Sequence, residues 1–276
     1  MSKKVLYLGG GKWCWTESCS KHAAVIESKN KLIQGIINKD KEQISNASAE
    51  LQKTPEGVST YRYLVTQQIK NELGRNPNIG LDFDGTTGDF THQLREHRGT
   101  SLKIPKEEWL SKLPNPDDYA MWKGSTPWYD SREEFLSHFK EAEVNGIYTK
   151  IPVYPNASKV LTELKNYGFT IKGITAREAV FNVDTKSWIK SNSIPVSKII
   201  NPGMAKETVK DIDVYLDDAP QVIKSLLDNE KKVVIMNHEY NQNSGFNHPN
   251  SRRVDGWSEK VIENIFELVV DKKNKK

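Results

Sequence analysis

Hydrophobic positions along this chain follow two rhythms in turn. In "HAAVIESKNKLIQGIINK" and "STYRYLVTQQIKNEL" the apolar residues recur at threes and fours, as Val25, Ile26, Leu32, Ile33, Ile36 and Ile37 do, which predicts amphipathic helices. "KVLYLGG" before them is a candidate strand, and Gly74 with "RNPN" closes this first zone at about residue 75. From Asn78 onward short apolar runs ("IGLDF", "YGFTIKGITA", "DVYLDD", "KKVVIM") are separated by amphipathic stretches ("NASKVLTELKNYG", "REAVFNVDTKSWIKSN", "APQVIKSLLDNE"). Such alternation predicts a parallel sheet covered by helices. Between Phe90 and Tyr148 the alternation stops. That segment is rich in aromatics, including Trp109, Tyr119, Trp122, Trp128, Tyr129, Phe135, Phe139 and Tyr148, and "REEFLSHFKEAE" is helical in pattern. It reads as a mostly helical cap, at about residues 90–150, over the strand ends.

Composition narrows the class. With 276 residues, 36% hydrophobic and 28% charged, the chain suits a globular protein with one sizeable core and an appendage. No apolar run approaches the roughly 20 residues of a membrane helix. "MSKKVLYLGGGKW" has too few apolar residues for a signal-peptide core, and two cysteines cannot frame a disulfide scaffold, so a cytoplasmic setting is expected. The net charge of +4 belongs to the ends. Residues 1–75 carry 12 Lys plus Arg against 7 Asp plus Glu and the tail 271–276 adds three net positives, which leaves about −4 for residues 76–270.

The chemistry gathers where apolar runs end. Asp82 and Asp84 follow the first, Thr175 to Arg177 the second, and Asp217 with Asp218 the third. In parallel sheets the carboxyl ends of strands are where ligands bind. If the first strand continued, Asp82 and Asp84 would share one face opposite Phe83. Two carboxylates so close repel unless a proton or cation lies between them, and Mg2+ prefers such oxygen ligands. The plain alternatives are a turn or calcium loop for "DFDGTTGDFTHQ", which lacks the further acidic positions, and a helix N-cap for the Asp217–Asp218 pair. In the first zone "WCWTESCSKH" offers Cys14, Cys19 and His22 as part of a zinc site with no fourth local ligand, against ordinary buried thiols. "GGGK" at Gly9–Lys12 lacks the full phosphate-loop pattern.

Taken in order, "LDFDGT", "ITAR", a lysine and "YLDDAP" resemble the haloacid dehalogenase superfamily of phosphohydrolases over Asn78 to about Glu259. The implied fold is α/β: a Rossmann-like parallel sheet with helices on both faces, a helical cap inserted after the first catalytic strand, and here an extra N-terminal helical region. The resemblance implies Asp82 as nucleophile, Asp84 as general acid and base, and Thr175 and Lys206 as partners of the phosphoryl oxygens. Lys210, four residues on, is the alternative lysine. Gly85, Thr86, Ala176 and Arg177 would line the substrate. Mg2+ would be held by Asp82, the Asp84 carbonyl and Asp218, with Asp217 acting through water.

"LPNPDDYAMWKGSTPWYDSREEFLSHFKEAEVNGIYTKIPVYPNASKVL" and the closing "NHEYNQNSGFNHPNSRRVDGWSE" with Arg253, Val254 and Trp257 further resemble the 5'(3')-deoxyribonucleotidase group, phage-encoded relatives included. Asn156 stands where that group has glycine. A nucleobase stacks well on aromatic rings, so Trp122, Trp128, Tyr129 and Phe135 are candidates for a base pocket, although a small cap also needs aromatics for its own core. The resulting expectation is Mg2+-dependent hydrolysis of a small-molecule nucleoside monophosphate through an aspartyl-phosphate. The alternatives are a phosphatase acting on nucleic-acid 3' ends or another phosphorylated nucleotide, with the basic N-terminal zone as docking surface, and a non-catalytic nucleotide-binding protein. The N-terminal helices are a candidate surface for self-association.

Overall fold

The computed structural model describes residues 6–7, 13–14, 17–38, 41–242 and 245–270. The chain divides into two compact units, Met1–Asn76 and Pro77–Lys276. In the first, β1 (Leu6–Tyr7) and β2 (Trp13–Cys14) pair antiparallel, and α1 (Glu17–Asn38), α2 (Lys41–Leu51) and α3 (Pro55–Leu73) follow. Val25, Leu32, Ala47 and Leu51 form its core, so the apolar spacing of α1 marks a buried stripe. Thr54 accepts from the Gly57 amide at 3.1 Å and Pro55 opens α3, while Gly74 at φ 65° closes it. α2 was not read from the sequence, whose "KEQISNASAEL" carries only a sparse apolar stripe. Gly9–Lys12 and the side chains of Cys14, Cys19 and His22 lie outside the described residues.

The second unit runs β3 (Asn78–Leu81), the cap helices α4 (Phe90–Ser101), α5 (Trp109–Lys112) and α6 (Arg132–Val144), then α7 (Ala157–Tyr167), β4 (Thr170–Ile174), α8 (Asn182–Ser191) and β5 (Lys198–Ile200). It continues with β6 (Val214–Asp217), α9 (Pro220–Asp228), β7 (Val233–Met236), α10 (Glu239–Gln242), β8 (Ser251–Val254) and α11 (Glu259–Val270). The six strands form an all-parallel sheet in the order β5-β4-β3-β6-β7-β8. The apolar runs predict neither β5 nor β8. β5 is three residues at an edge, and "SRRV" of β8 is too polar to announce a strand.

Strand order reverses about β3. The crossover through α7 leads outward to β4, and that through α9 leads the other way, from β6 to β7. Right-handed crossovers then place α7 and α9 on opposite faces. Val222, Ile223 and Leu226 of α9 pack on Ile174, Tyr215, Val233 and Ile235. On the α7 side, Tyr167 and Phe169 stand edge-on to Phe266 of α11 at 5.8 and 5.4 Å. β3 is buried along its whole length, with Gly80 leaving room for a ring: a Cβ there would lie 2.8 Å from Tyr215 Cδ1. The crevice between β3 and β6, where the order reverses, is the expected place for a ligand.

The cap leaves and returns at one point. Asp89 donates its amide to the Pro152 carbonyl at 2.8 Å and Tyr154 to that of Thr87 at 3.0 Å. Asp89 caps α4 through the His92 amide at 2.9 Å, and Ser131 caps α6 through the Glu134 amide at 3.1 Å. Between α5 and α6 the chain is irregular and wraps Arg95, which donates to the Leu113 carbonyl and the Asn115 side chain, both at 2.7 Å.

Candidate active site

β3 stops at Leu81, yet the Asp82 amide still donates to the Leu216 carbonyl of β6 at 3.0 Å. Phe83 turns into the packing, edge-on to Trp188 at 5.7 Å, over Gly173, where a Cβ would meet its ring at 2.3 Å. Gly85 then takes φ 82°, conformationally cheap only for glycine, and a Cβ at that position would lie 2.3 Å from Asp218 Oδ2. The turn closes on itself through Gly85 N to Gly88 O and through Thr87 N and Gly88 N to Phe83 O. The amides of Phe83, Asp84 and Thr86 donate to no described residue and are free to meet an anion.

Lys206 is buried and donates to Asp82 Oδ1 and, at 2.8 Å, to Asp217 Oδ2. Its backbone is anchored by the Tyr215 hydroxyl on the Lys206 carbonyl at 3.0 Å. Lys210 is exposed. Thr175, fully buried at the end of β4, accepts from the Arg177 amide at 3.2 Å, while its own hydroxyl proton goes to no described residue. Arg177, 3% exposed, grips Asp84 with two hydrogen bonds, Nε at 2.8 Å and Nη2 at 2.6 Å, and lies over the Tyr148 ring at 4.3 Å. The guanidinium expected to face substrate thus orients the second aspartate. Ala176 beside it is exposed.

Asp82, Asp217 and Asp218 each bring a carboxylate oxygen within 4.8 Å of the others. Asp218 accepts from the Thr86 hydroxyl at 2.7 Å and the Tyr240 hydroxyl at 2.5 Å, and Asp217 from the Ala219 amide at 3.1 Å. Burial, opposed by Lys206 and reinforced by Asp217 and Asp84, pushes the Asp82 carboxyl up to about 7. Burial and the Asp82 charge push Asp218 up to about 6, and burial raises Asp217 as well. Burial works against the Lys206 charge, but Asp217 and Asp82 outweigh it and hold the ammonium above its usual range. Three buried carboxylates face one ammonium, so the donor set carries an excess negative charge that a divalent cation would neutralise. These residues fit such a cation.

The proposed base-pocket residues divide. Trp128 and Tyr129 are buried in the cap's own core, Trp128 Nε1 on the Pro114 carbonyl at 2.8 Å and the Tyr129 hydroxyl against His138 Nδ1 at 2.9 Å. Trp122 and Phe135 are half-buried, 5.1 Å apart. The cap residues that reach the core are others. Asn115 donates to Glu239 at 3.1 Å, and Tyr119 stands edge-on to Tyr240 at 5.5 Å. Tyr119 is itself exposed, and its link to the carboxylates runs through Tyr240, whose hydroxyl donates to Asp218. Neither Tyr119 nor Tyr240 is predicted for the site by the motifs. The signal for Tyr240 was its place in "NHEYN", directly after a strand run.

No protein-family model matches the chain. A protein of Oceanobacillus iheyensis named "Putative nucleotidase" is 30% identical over 182 residues, covering 60% of this chain and 89% of that protein. The chain belongs to the family of this relative. A "Putative 5'(3')-deoxyribonucleotidase" of Chlorobaculum tepidum is 27% identical over 157 residues, covering 54% of this chain and 72% of that one. Among solved structures, "a predicted phosphatase" from Clostridium acetobutylicum aligns at TM-score 0.49 and 18% identity, over 69% of this chain and 98% of the other. In this chain the acidic cluster of Asp82, Asp217 and Asp218 stands at the strand ends of its own parallel sheet. Among its described residues no helix is long and apolar enough to cross a membrane.

Proposed function

We propose that this phosphatase hydrolyses nucleoside monophosphates, with Mg2+, through an aspartyl-phosphate on Asp82. The observation that carries the reading is the fixed geometry of two aspartates two residues apart, Asp82 against Lys206 and Asp84 against Arg177. A carboxylate oxygen of Asp82 forms the bond to phosphorus as the bond to the leaving nucleoside oxygen breaks, and Asp84 passes that oxygen a proton. Asp84 then takes a proton from water as the water oxygen attacks phosphorus. The Asp82–phosphorus bond breaks, and inorganic phosphate leaves. Lys206, the Thr175 hydroxyl and the free turn amides face the charge on the phosphoryl oxygens. Mg2+, held by Asp82, Asp218 and the Asp84 carbonyl with Asp217 beside them, would supply further charge neutralisation when bound.

The nucleoside preference rests on the names of the two relatives and on the aromatic cap. Phosphate release from a panel of 5' and 3' deoxynucleotides with Mg2+ tests it, with Asp82→Asn as the control. Release from wild type that the substitution abolishes is expected. A wild type inert toward every mononucleotide, or active only on oligonucleotide 3'-phosphates, overturns the substrate assignment.

A further inference from the structure

The turn that carries Asp84 is also held by two ring N–H groups of the closing segment, residues 237–259. His238, just past the end of β7, contacts the Gly85 carbonyl through Nε2 at 2.6 Å. A carbonyl can only accept, so Nε2 carries the proton. Trp257, just past the end of β8, donates Nε1 to the Thr86 carbonyl at 2.9 Å.

Both rings are fixed in turn. His238 stacks on Tyr240 at 5.0 Å and 16° and lies near Tyr154 at 6.0 Å. Its amide is received by the side chain of buried Asn241 at 3.1 Å, and Asn241 also donates to the Asp218 and Met236 carbonyls at 2.9 and 2.8 Å. Trp257 is 3% exposed.

A trans peptide is planar, so its carbonyl and the following N–H point in opposite directions. Fixing the Gly85 carbonyl toward His238 therefore fixes the Thr86 amide away from it. That amide belongs to a fully buried residue and has no acceptor among the described residues. A buried N–H without a partner is costly, and an arriving anion would satisfy it.

We propose that His238, with Trp257, is a positioning residue of the phosphatase: the two rings lock the Gly85–Thr86 peptide planes so that the Thr86 amide and the Asp84 carboxylate keep their reactive orientation. The role rests on the phosphoryl-transfer reading above but not on the nucleoside assignment. It predicts a loss in turnover rather than in substrate affinity, because no atom of either ring needs to touch the substrate.

The test compares wild type, His238→Ala, His238→Gln and Trp257→Phe on p-nitrophenyl phosphate and on deoxynucleotides, with Mg2+ present. Gln places an amide N–H near the reach of Nε2, and Phe keeps the Trp257 packing while removing its donor. His238→Ala and Trp257→Phe should lower kcat roughly tenfold or more with KM within about threefold, and His238→Gln should recover most of the loss. Hydrogen exchange of the 82–88 segment should speed up in the first two variants and not in the third. Unchanged kcat, a change confined to KM, or equal loss in Ala and Gln variants with unaltered exchange at 82–88 overturns the proposal. Activity on p-nitrophenyl phosphate without activity on nucleotides sinks only the substrate assignment.

Discussion

At the scale of single residues the site is a matter of charge held in a dry place. Lys206 is the one ammonium between Asp82 and Asp217, so Lys206→Met should reduce phosphate release at least about a hundredfold. Lys210→Met, at an exposed position, should leave it unchanged. Steady-state phosphate assays on both variants check this. His138 offers a second residue-level prediction, away from the chemistry. Burial, with His97 at 2.9 Å and Arg98 nearby, pushes its imidazole down to about 4. The folded cap keeps His138 neutral where the unfolded chain, with an ordinary histidine near 6.5, binds a proton. Stability is therefore lost as pH falls from about 6.5 toward about 4, by about 2 kcal/mol at pH 5. Thermal or urea unfolding at pH 7 and pH 5 should show that loss in wild type, and His138→Gln should remove its share of it.

At the scale of elements, the strand ends and helix starts determine where the chemistry stands. Ser131 begins α6 by accepting the Glu134 amide, and Ser131→Ala should cost about 1 kcal/mol in urea unfolding. Gly173 of β4 lies under Phe83, so Gly173→Ala forces the ring off its seat. The cost of such overpacking is about 1–3 kcal/mol, and because Phe83 separates the two aspartates a fall in turnover should accompany it. Measuring unfolding and phosphate release on the same preparation checks both effects. Much of this level was legible in the chain. The four short apolar runs became β3, β4, β6 and β7, and in β3, β6 and β7 burial of every residue leaves a largely hydrophobic signature. β5 and β8 sit at the sheet's edges, where polar side chains are tolerated and the signature fades.

For the molecule as a whole, the excess carboxylate charge and the division into two units each carry a prediction. Mg2+ should raise the melting temperature of wild type, because a ligand that binds the folded state stabilises it. Asp218→Asn should lose most of that shift, as scanning calorimetry with and without EDTA would read. Every residue of the candidate site lies in the unit from Pro77 onward, so a chain beginning there should retain phosphate release. A folded but inactive fragment would instead assign the first unit a part in catalysis.

The chain by itself determined the α/β class, the cap insertion and the acidic constellation, because burial period and short motifs are local properties. The sequence places Asp82, Asp84, Thr175, Asp217 and Asp218 at strand ends, while the choice between Lys206 and Lys210 stays open in it. Only the tertiary structure decided which charge meets which. It gave Arg177 to Asp84, Lys206 to both Asp82 and Asp217, and Tyr240 to Asp218, and it buried Trp128 and Tyr129 in the cap while bringing Tyr119 against Tyr240. Those pairings join residues 11 to 124 positions apart along the chain, and strand order and side-chain direction set them.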